Sequence, residues 1–292
     1  MSANPSTQSG VAYARTEDHR LITGQGQYTA DVQYPGMLHL HVIRSMHAHA
    51  RITRLDLSAV KTAPGVRWVM TAEDIDANAG QELADLEFDI LPAAASLDAA
   101  LAVGAPVLHE ASPHNVSAEF EAGDRASVEA AFAQATHTST LRVVSQRLIP
   151  APMEPRAVVA LYDEAQDRTR VHTPTQGILG MLGFLSQATG MPAEKFEILT
   201  IDVGGSFGIR GGAFSEHVGV VIAARVLKRP VRWVGSRSEV FVSDWHGRGL
   251  VLEGSVALDA HGKILAIRFH DQVDLGAYNA YMSTFIGTRN LS

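Results

Sequence analysis

The chain has 292 residues, 46% apolar and 19% charged, with a formal net charge of −7 at pH 7. That length allows two domains with real cores, and the acidic balance argues against a general nucleic-acid binder. The chain contains no cysteine, which excludes disulfides, thiolate zinc sites, a cysteine nucleophile and a cysteine-ligated iron–sulfur cluster in these residues.

Residues 1–14 start without basic residues or an apolar run, so they read as a disordered lead-in rather than a secretory signal. No later stretch approaches the about 20 apolar residues that span a bilayer. No membrane association and a cytoplasmic location are therefore expected. Tyr28 to Asp31 reads as a short strand, closed by a turn at Pro35-Gly36. Met37 to Ser45 alternates in a way that predicts a largely buried strand. His47 and His49 lie two apart, on one side of an extended segment, but lack an indicated third ligand. A hydrogen-bonded loop is favoured over a metal site there.

Ser58 caps a predicted helix over 59–63, Val66 to Met70 is a strand, and Thr71 fits a helix N-cap. Phe88 to Pro92 reads as an edge strand, 93–102 as a helix, 103–124 as a linker and 127–135 as a helix. Strands are predicted at 138–148, 156–162 and 170–173. A helix follows over 177–190, whose Gly177, Gly180 and Gly183 suggest close packing on a backbone or ligand.

Phe196 to Val203 reads as a buried strand, Gly204 to Gly212 as a glycine-rich loop, and 213–227 as a helix. A glycine loop between a strand and a helix N-terminus offers free N–H donors to a phosphate, a carboxylate or a metal-bound oxo group. Ser206 stands where a dinucleotide fingerprint needs its second glycine, and 225–229 supplies no acid for a ribose. A P-loop's Gly-Lys-Ser/Thr is also missing, and a purely structural turn remains the rival. Glu154, Glu216, His217 and His246 sit in no motif that fixes partners, so a surface or core-satisfied role is their default. Asp202 is a candidate cap for the loop. The chain closes with a strand at 229–234, a helix capped by Ser236, and a hairpin of 250–258 with 263–273 around Gly262.

Several segments in order resemble the molybdenum-binding large subunit of the xanthine dehydrogenase, aldehyde oxidase and carbon monoxide dehydrogenase family, in its N-terminal part only. Gly24-x-Gly-x-Tyr28, Pro35-Gly-Met-Leu38, Arg44 to Ile52, Pro64-Gly-Val66 and Thr71 to Asp74 are similar to that family's α/β hammerhead domain. Met153-Glu-Pro-Arg156, Thr175-Gln176, Val203 to Gly208, Pro230 to Trp233, Arg237-x-Glu239 and His246-Gly-Arg248 resemble its first molybdenum-cofactor-binding domain.

The resemblance implies an α+β chain: a shortened hammerhead domain over 15–110, a linker over 111–136, and an incomplete first cofactor-binding domain over 137–292. It implies a molybdenum-dependent oxidoreductase that oxidises an aldehyde or related small substrate. The reaction is hydroxyl attack on carbon with hydride transfer to molybdenum. The cofactor is a molybdenum–pterin, as the cytosine dinucleotide, held in part by Gln176, Gly205, Ser206, Phe207, Gly208 and Arg210. Gln176 matches the glutamine that bonds the apical oxo group, and Phe207 and Gly208 match the loop beside the metal. No direct metal ligand and no complete catalytic set is expected here. Implied partners are a flavin-binding subunit, a 2Fe-2S subunit and a separate C-terminal molybdenum-binding half. Three departures stand out. The second cofactor domain is missing, residues 75–84 join two pieces of a shortened hammerhead, and Gly211 replaces the glutamate of purine-oxidising members. The chain is therefore expected to be inactive alone; a non-catalytic assembly subunit or a degenerate remnant is the alternative.

Overall fold

The computed structural model describes residues 15–71 and 85–278. In chain order the elements are α1 (Asp18–Ile22), β1 (Leu38–His39), β2 (Ala50–Asp56), α2 (Ser58–Thr62), β3 (Asp85–Ile90) and α3 (Leu97–Leu101). Then come α4 (Arg125–Gln134), β4 (His137–Ser145), β5 (Ala157–Asp163), β6 (Arg168–His172) and α5 (Ile178–Thr189). The series ends with β7 (Phe196–Leu199), α6 (Ser215–Leu227), β8 (Val231–Val234), α7 (Arg237–Ser243), β9 (Leu250–Leu258) and β10 (Ile264–Val273).

The main sheet has the order β1-β8-β5-β6-β7. β5 sits at its centre, and the Ala157-Val-Val-Ala160 run is buried on both faces, as a central strand requires. β6 alternates instead, with Thr169 and Val171 inward and the arginines outward. α6 covers this sheet with Val218, Val220, Val221, Ala223 and Ala224, and α5 adds Met181 and Leu185 to the same core. β1 comes from the N-terminal region yet pairs parallel with β8, Leu38 opposite Val231. A second sheet, β10-β9-β4, is antiparallel and carries α4 on one face, where Arg268 bonds Glu129 and stacks on Phe132. β2 and β3 form a third, two-stranded sheet.

Local signals explain several helix boundaries. Ser96 and Asp124 cap α3 and α4 through Ala99 N–H (3.2 Å) and Ser127 N–H (3.1 Å). Ser236 and Glu239 form a reciprocal capping box on α7. Gly190, at φ 68°, ends α5 in the left-handed conformation.

The structure corrects several expectations. Thr29–Asp31 is a 3-10 turn, not a strand. The predicted strand 37–45 shrinks to β1, with His39 and His41 exposed, and 66–70 has no regular structure. β7 stops at Leu199 rather than Val203, because Asp202 leaves the sheet. It does not cap the loop: its carboxylate takes Arg20 (2.6 Å to Oδ1) and the Gln27 N–H (2.7 Å). Of the three glycines predicted to pack closely around α5, only Gly180 has a close neighbour. A Cβ there would lie 3.5 Å from the Gly211 carbonyl oxygen, whereas nothing lies within 4 Å at Gly177 or Gly183. His49 Nδ1 contacts the Pro92 carbonyl at 2.7 Å and His47 stacks edge-on to Phe88. The helix predicted after Thr71 lies outside the described residues.

Candidate functional site

The glycine loop is fastened at both ends to one residue, Glu154. At the near end, Gly204 N–H donates to Glu154 Oε2 at 2.8 Å, and Glu154 N–H donates to the Gly204 carbonyl at 3.1 Å. A Cβ on Gly204 would stand 2.5 Å from Glu154 Cβ, so glycine is required there by contact. At the far end, Arg210 Nη1 donates to the same Oε2 at 2.6 Å, and Nη2 donates to the Glu154 carbonyl. Arg210 is 2% exposed, which makes the clamp a buried ion pair.

Between these ends the backbone turns outward. Gly205, Phe207 and Gly208 have φ of 100°, 51° and 97°. Phe207 holds a left-handed conformation without being glycine, a strain that clusters at functional sites. Its ring is 74% exposed. Among the described residues, no protein acceptor takes the N–H groups of Gly205, Ser206, Phe207 or Gly208. Successive free amides around a reversed turn form an anion-binding concavity. Ser206 Oγ, Glu154 Oε1 and Arg210 Nε are buried without a hydrogen-bond partner.

Gln176 is attached to the back of this loop. Its N–H and the Thr175 hydroxyl both donate to the Arg210 carbonyl at 3.1 Å. The Gln176 side chain is exposed, at the start of α5. The structure therefore gathers Gln176, Gly205, Ser206, Phe207 and Gly208 around one loop. Arg210 is placed differently, with its charge spent on Glu154 beneath that loop.

The loop's C-terminal side rests on a buried ionic cluster that residue-by-residue reading left as unpartnered acids and bases. Arg156, 2% exposed, donates to Glu216 (2.7 Å), to Ser243 Oγ (2.6 Å) and to Asp244. Its guanidinium lies 3.8 Å from the Phe214 ring centroid, and Phe214 stacks on Trp245 at 4.5 Å. Trp245 in turn abuts Gly212, where a Cβ would come within 2.9 Å. Arg44 reaches Glu216 from the N-terminal region. Burial alone would raise the Glu216 carboxyl, but Arg156 and Arg44 together bring it down to about 2. Asp244 is pushed up by burial despite Arg156.

His217 is fully enclosed and neutral, with burial and the Arg156 charge lowering it to about 4. Its tautomer follows from its partners. Nδ1 accepts from Phe214 N–H at 3.1 Å, and the Thr173 hydroxyl, which donates to the Ala157 carbonyl, leaves Nε2–H to donate to Thr173 at 3.0 Å. Glu216 and His217 are thus satisfied core groups, Glu154 is paired through Oε2 alone, and His246 is exposed. One signal could have found Arg156 and Glu154: both belong to the Met153-Glu-Pro-Arg156 motif.

A strand-to-helix loop clamped by a buried ion pair, with unpaired amides at its exposed tip, defines a cofactor-binding class of domain. The chain belongs to the molybdopterin cofactor-binding domain family, whose model matches residues 108–292. Residues 23–99 match the aldehyde oxidase and xanthine dehydrogenase a/b hammerhead domain, so the α+β chain is a hammerhead domain followed by a cofactor-binding domain. It is 30% identical over 316 residues to the carbon monoxide dehydrogenase large chain of Hydrogenophaga pseudoflava, covering 90% of this chain and 39% of that one. It is 32% identical over 324 residues to 6-hydroxypseudooxynicotine dehydrogenase complex subunit gamma of Paenarthrobacter nicotinovorans, covering 92% and 40%. A solved CO dehydrogenase from Oligotropha carboxidovorans superposes with a TM-score of 0.84 at 29% identity, over 90% of this chain and 39% of that one.

The chain spans about two fifths of the length of the curated relatives it matches. The alignments also run 316 and 324 positions against about 90% and 92% of 292 residues, so about fifty positions of each relative face nothing in this chain.

The residues present fit a molybdenum–pterin group. The unpaired amides of 205–208 and the orphan Ser206 hydroxyl supply donors to an oxygen-rich anion. The space beside Gly208, where a Cβ would meet nothing within 4 Å, leaves the loop tip open to approach.

Proposed function

We propose that this chain is part of a molybdenum hydroxylase that oxidises an aldehyde or related small substrate, and that further polypeptide completes its site. The observation that carries the reading is the run of unpaired amides from Gly205 to Gly208 on a loop clamped by Glu154 and Arg210. When bound, the molybdenum–pterin group supplies the two-electron redox chemistry. The protein's own share is to hold and polarise. The amides at 205–208, held in place by the clamped loop, and the exposed Gln176 carboxamide would donate hydrogen bonds to the group. The Glu154–Arg210 pair keeps the loop from relaxing when the group is absent. The cytosine dinucleotide form of the cofactor, and flavin-binding and 2Fe-2S partner subunits, belong to the same proposal. The boundaries 15–110, 111–136 and 137–292 do as well.

The named relatives are a large chain and a complex subunit, which supports an assembly of several chains. Metal and pterin analysis of the purified chain, alone and co-expressed with the C-terminal part of a relative, separates the outcomes. Molybdenum in the pair and not in the chain alone is expected. Stoichiometric molybdenum in the lone chain would overturn the incomplete-site reading, and none in either would overturn the cofactor reading.

A further inference from the structure

We infer that a groove in the N-terminal region, between residues 37–44 and 66–70, docks a β-strand donated by another polypeptide. β1 uses only one of its edges. Leu38 and Leu40 N–H donate to the Pro230 and Arg232 carbonyls, each at 2.8 Å, which ties this segment to β8. In an extended segment the intervening groups point the other way. The N–H groups of His39 and His41 therefore face away from the sheet, and among the described residues no backbone partner takes them.

Across the groove, residues 67–70 have no regular structure and likewise lack a backbone partner among the described residues. Trp68 and Met70 pack on the same core as Leu38, Leu40 and Val42. Gly219 of α6 fixes their relation. A Cβ there would lie 3.1 Å from Met70 Cε and 3.5 Å from Leu40 Cδ2. Met70 and Leu40 thus reach the same point on α6, while their segments form no ladder with each other. A cavity of about 710 Å³ is bounded by both segments and α6.

Two observations choose the occupant. Unpaired backbone donors and acceptors along both segments are satisfied by a strand and not by a lipid chain, which has no hydrogen-bonding groups along its length. Arg44 supplies the second. It lines the groove with its Nη2 bound to Glu216 and 3.5 Å from Glu239, so its charge is met within the chain, but its Nε is buried without an acceptor. The fitting strand alternates apolar and polar residues, lays its apolar face toward α6, and carries a hydrogen-bond acceptor at the Arg44 end.

Hydrogen exchange on the full chain tests this, with the peptide acetyl-Thr-Val-Lys-Val-Thr-Val-Glu-amide as probe. At about 1 mM peptide, amides of 39–43 and 67–70 are expected to slow by about tenfold. The same peptide N-methylated at alternate residues should give no slowing. His41→Pro, which removes one outward N–H and leaves the bonds to β8 intact, should abolish the effect of the unmodified peptide. The inference is overturned if the peptide slows neither segment, or if these amides are already slow in the free chain. Equal slowing by the N-methylated peptide or by dodecanoate would overturn it too.

Discussion

Replacing Arg156 by methionine isolates the ionic cluster under the loop. Methionine keeps an apolar body between Phe214 and Trp233 but removes the charge that faces Glu216 and Asp244. Breaking a buried pair by deleting one partner costs about 3–5 kcal/mol, since the remaining carboxylate stays buried. That is a large part of the about 5–15 kcal/mol that holds a domain together. The pH dependence gives the sharper test. In the native chain Glu216 lies at about 2, below its ordinary 4.5. It therefore contributes about 3 kcal/mol that is present above pH 4.5 and lost as pH falls towards 2. In the variant only Arg44 opposes burial, so the folded-state pKa rises and the stabilisation from ionised Glu216 shrinks. The loss of stability between pH 7 and pH 3 should then be smaller than in the native chain. Urea unfolding at both pH values, followed by tryptophan fluorescence, measures this directly. A loss under about 1 kcal/mol at pH 7, or the same pH slope in both proteins, would refute the reasoning.

Gly204→Ala places a methyl group against Glu154 Cβ and should cost about 1–3 kcal/mol, read as a lower urea midpoint with unchanged m-value. Gln176→Ala should leave melting unchanged, since only its backbone is bonded. In a completed, cofactor-loaded assembly it should lower kcat by about 100-fold. Asp202 is held at about 2 by its bonds to Arg20 and Gln27. Its contribution is present above the ordinary carboxylate range and fades as pH falls through 2. Asp202→Asn should therefore speed proteolysis at Arg20 at neutral pH, and the difference from the native chain should narrow in acid.

Periodicity located the hairpin of β9 and β10, the apolar α6 and the capped α7, because each is determined within its own residues. The glycine loop was legible for the same reason: five glycines in nine positions announce close approach of the backbone. What fixes the loop was not. Glu154 is fifty residues from Gly204, and nothing local to it says that a carboxylate will accept both ends of the loop. Arg156, Glu216 and Asp244 meet from three elements, so their partnership exists only in the folded chain. The misread strands have a related cause. Tyr28 to Asp31 has strand-like residues, but the Asp31 carboxylate accepts the Tyr28 N–H at 2.9 Å and curls the backbone instead. Residues 66–70 have the composition of a strand but, among the described residues, no strand to pair with.

The pairing of Leu38 with Val231 also sets a timetable for biosynthesis. β1 leaves the ribosome early, but the strand that receives it is made about 190 residues later, or about 10–40 s at 5–20 residues per second. Throughout that interval Leu38, Leu40 and Val42 have no sheet edge to join. The hammerhead end of the nascent chain is therefore the part that most needs shielding. A cut that released it before β8 was made would separate two pieces neither of which holds its own edge.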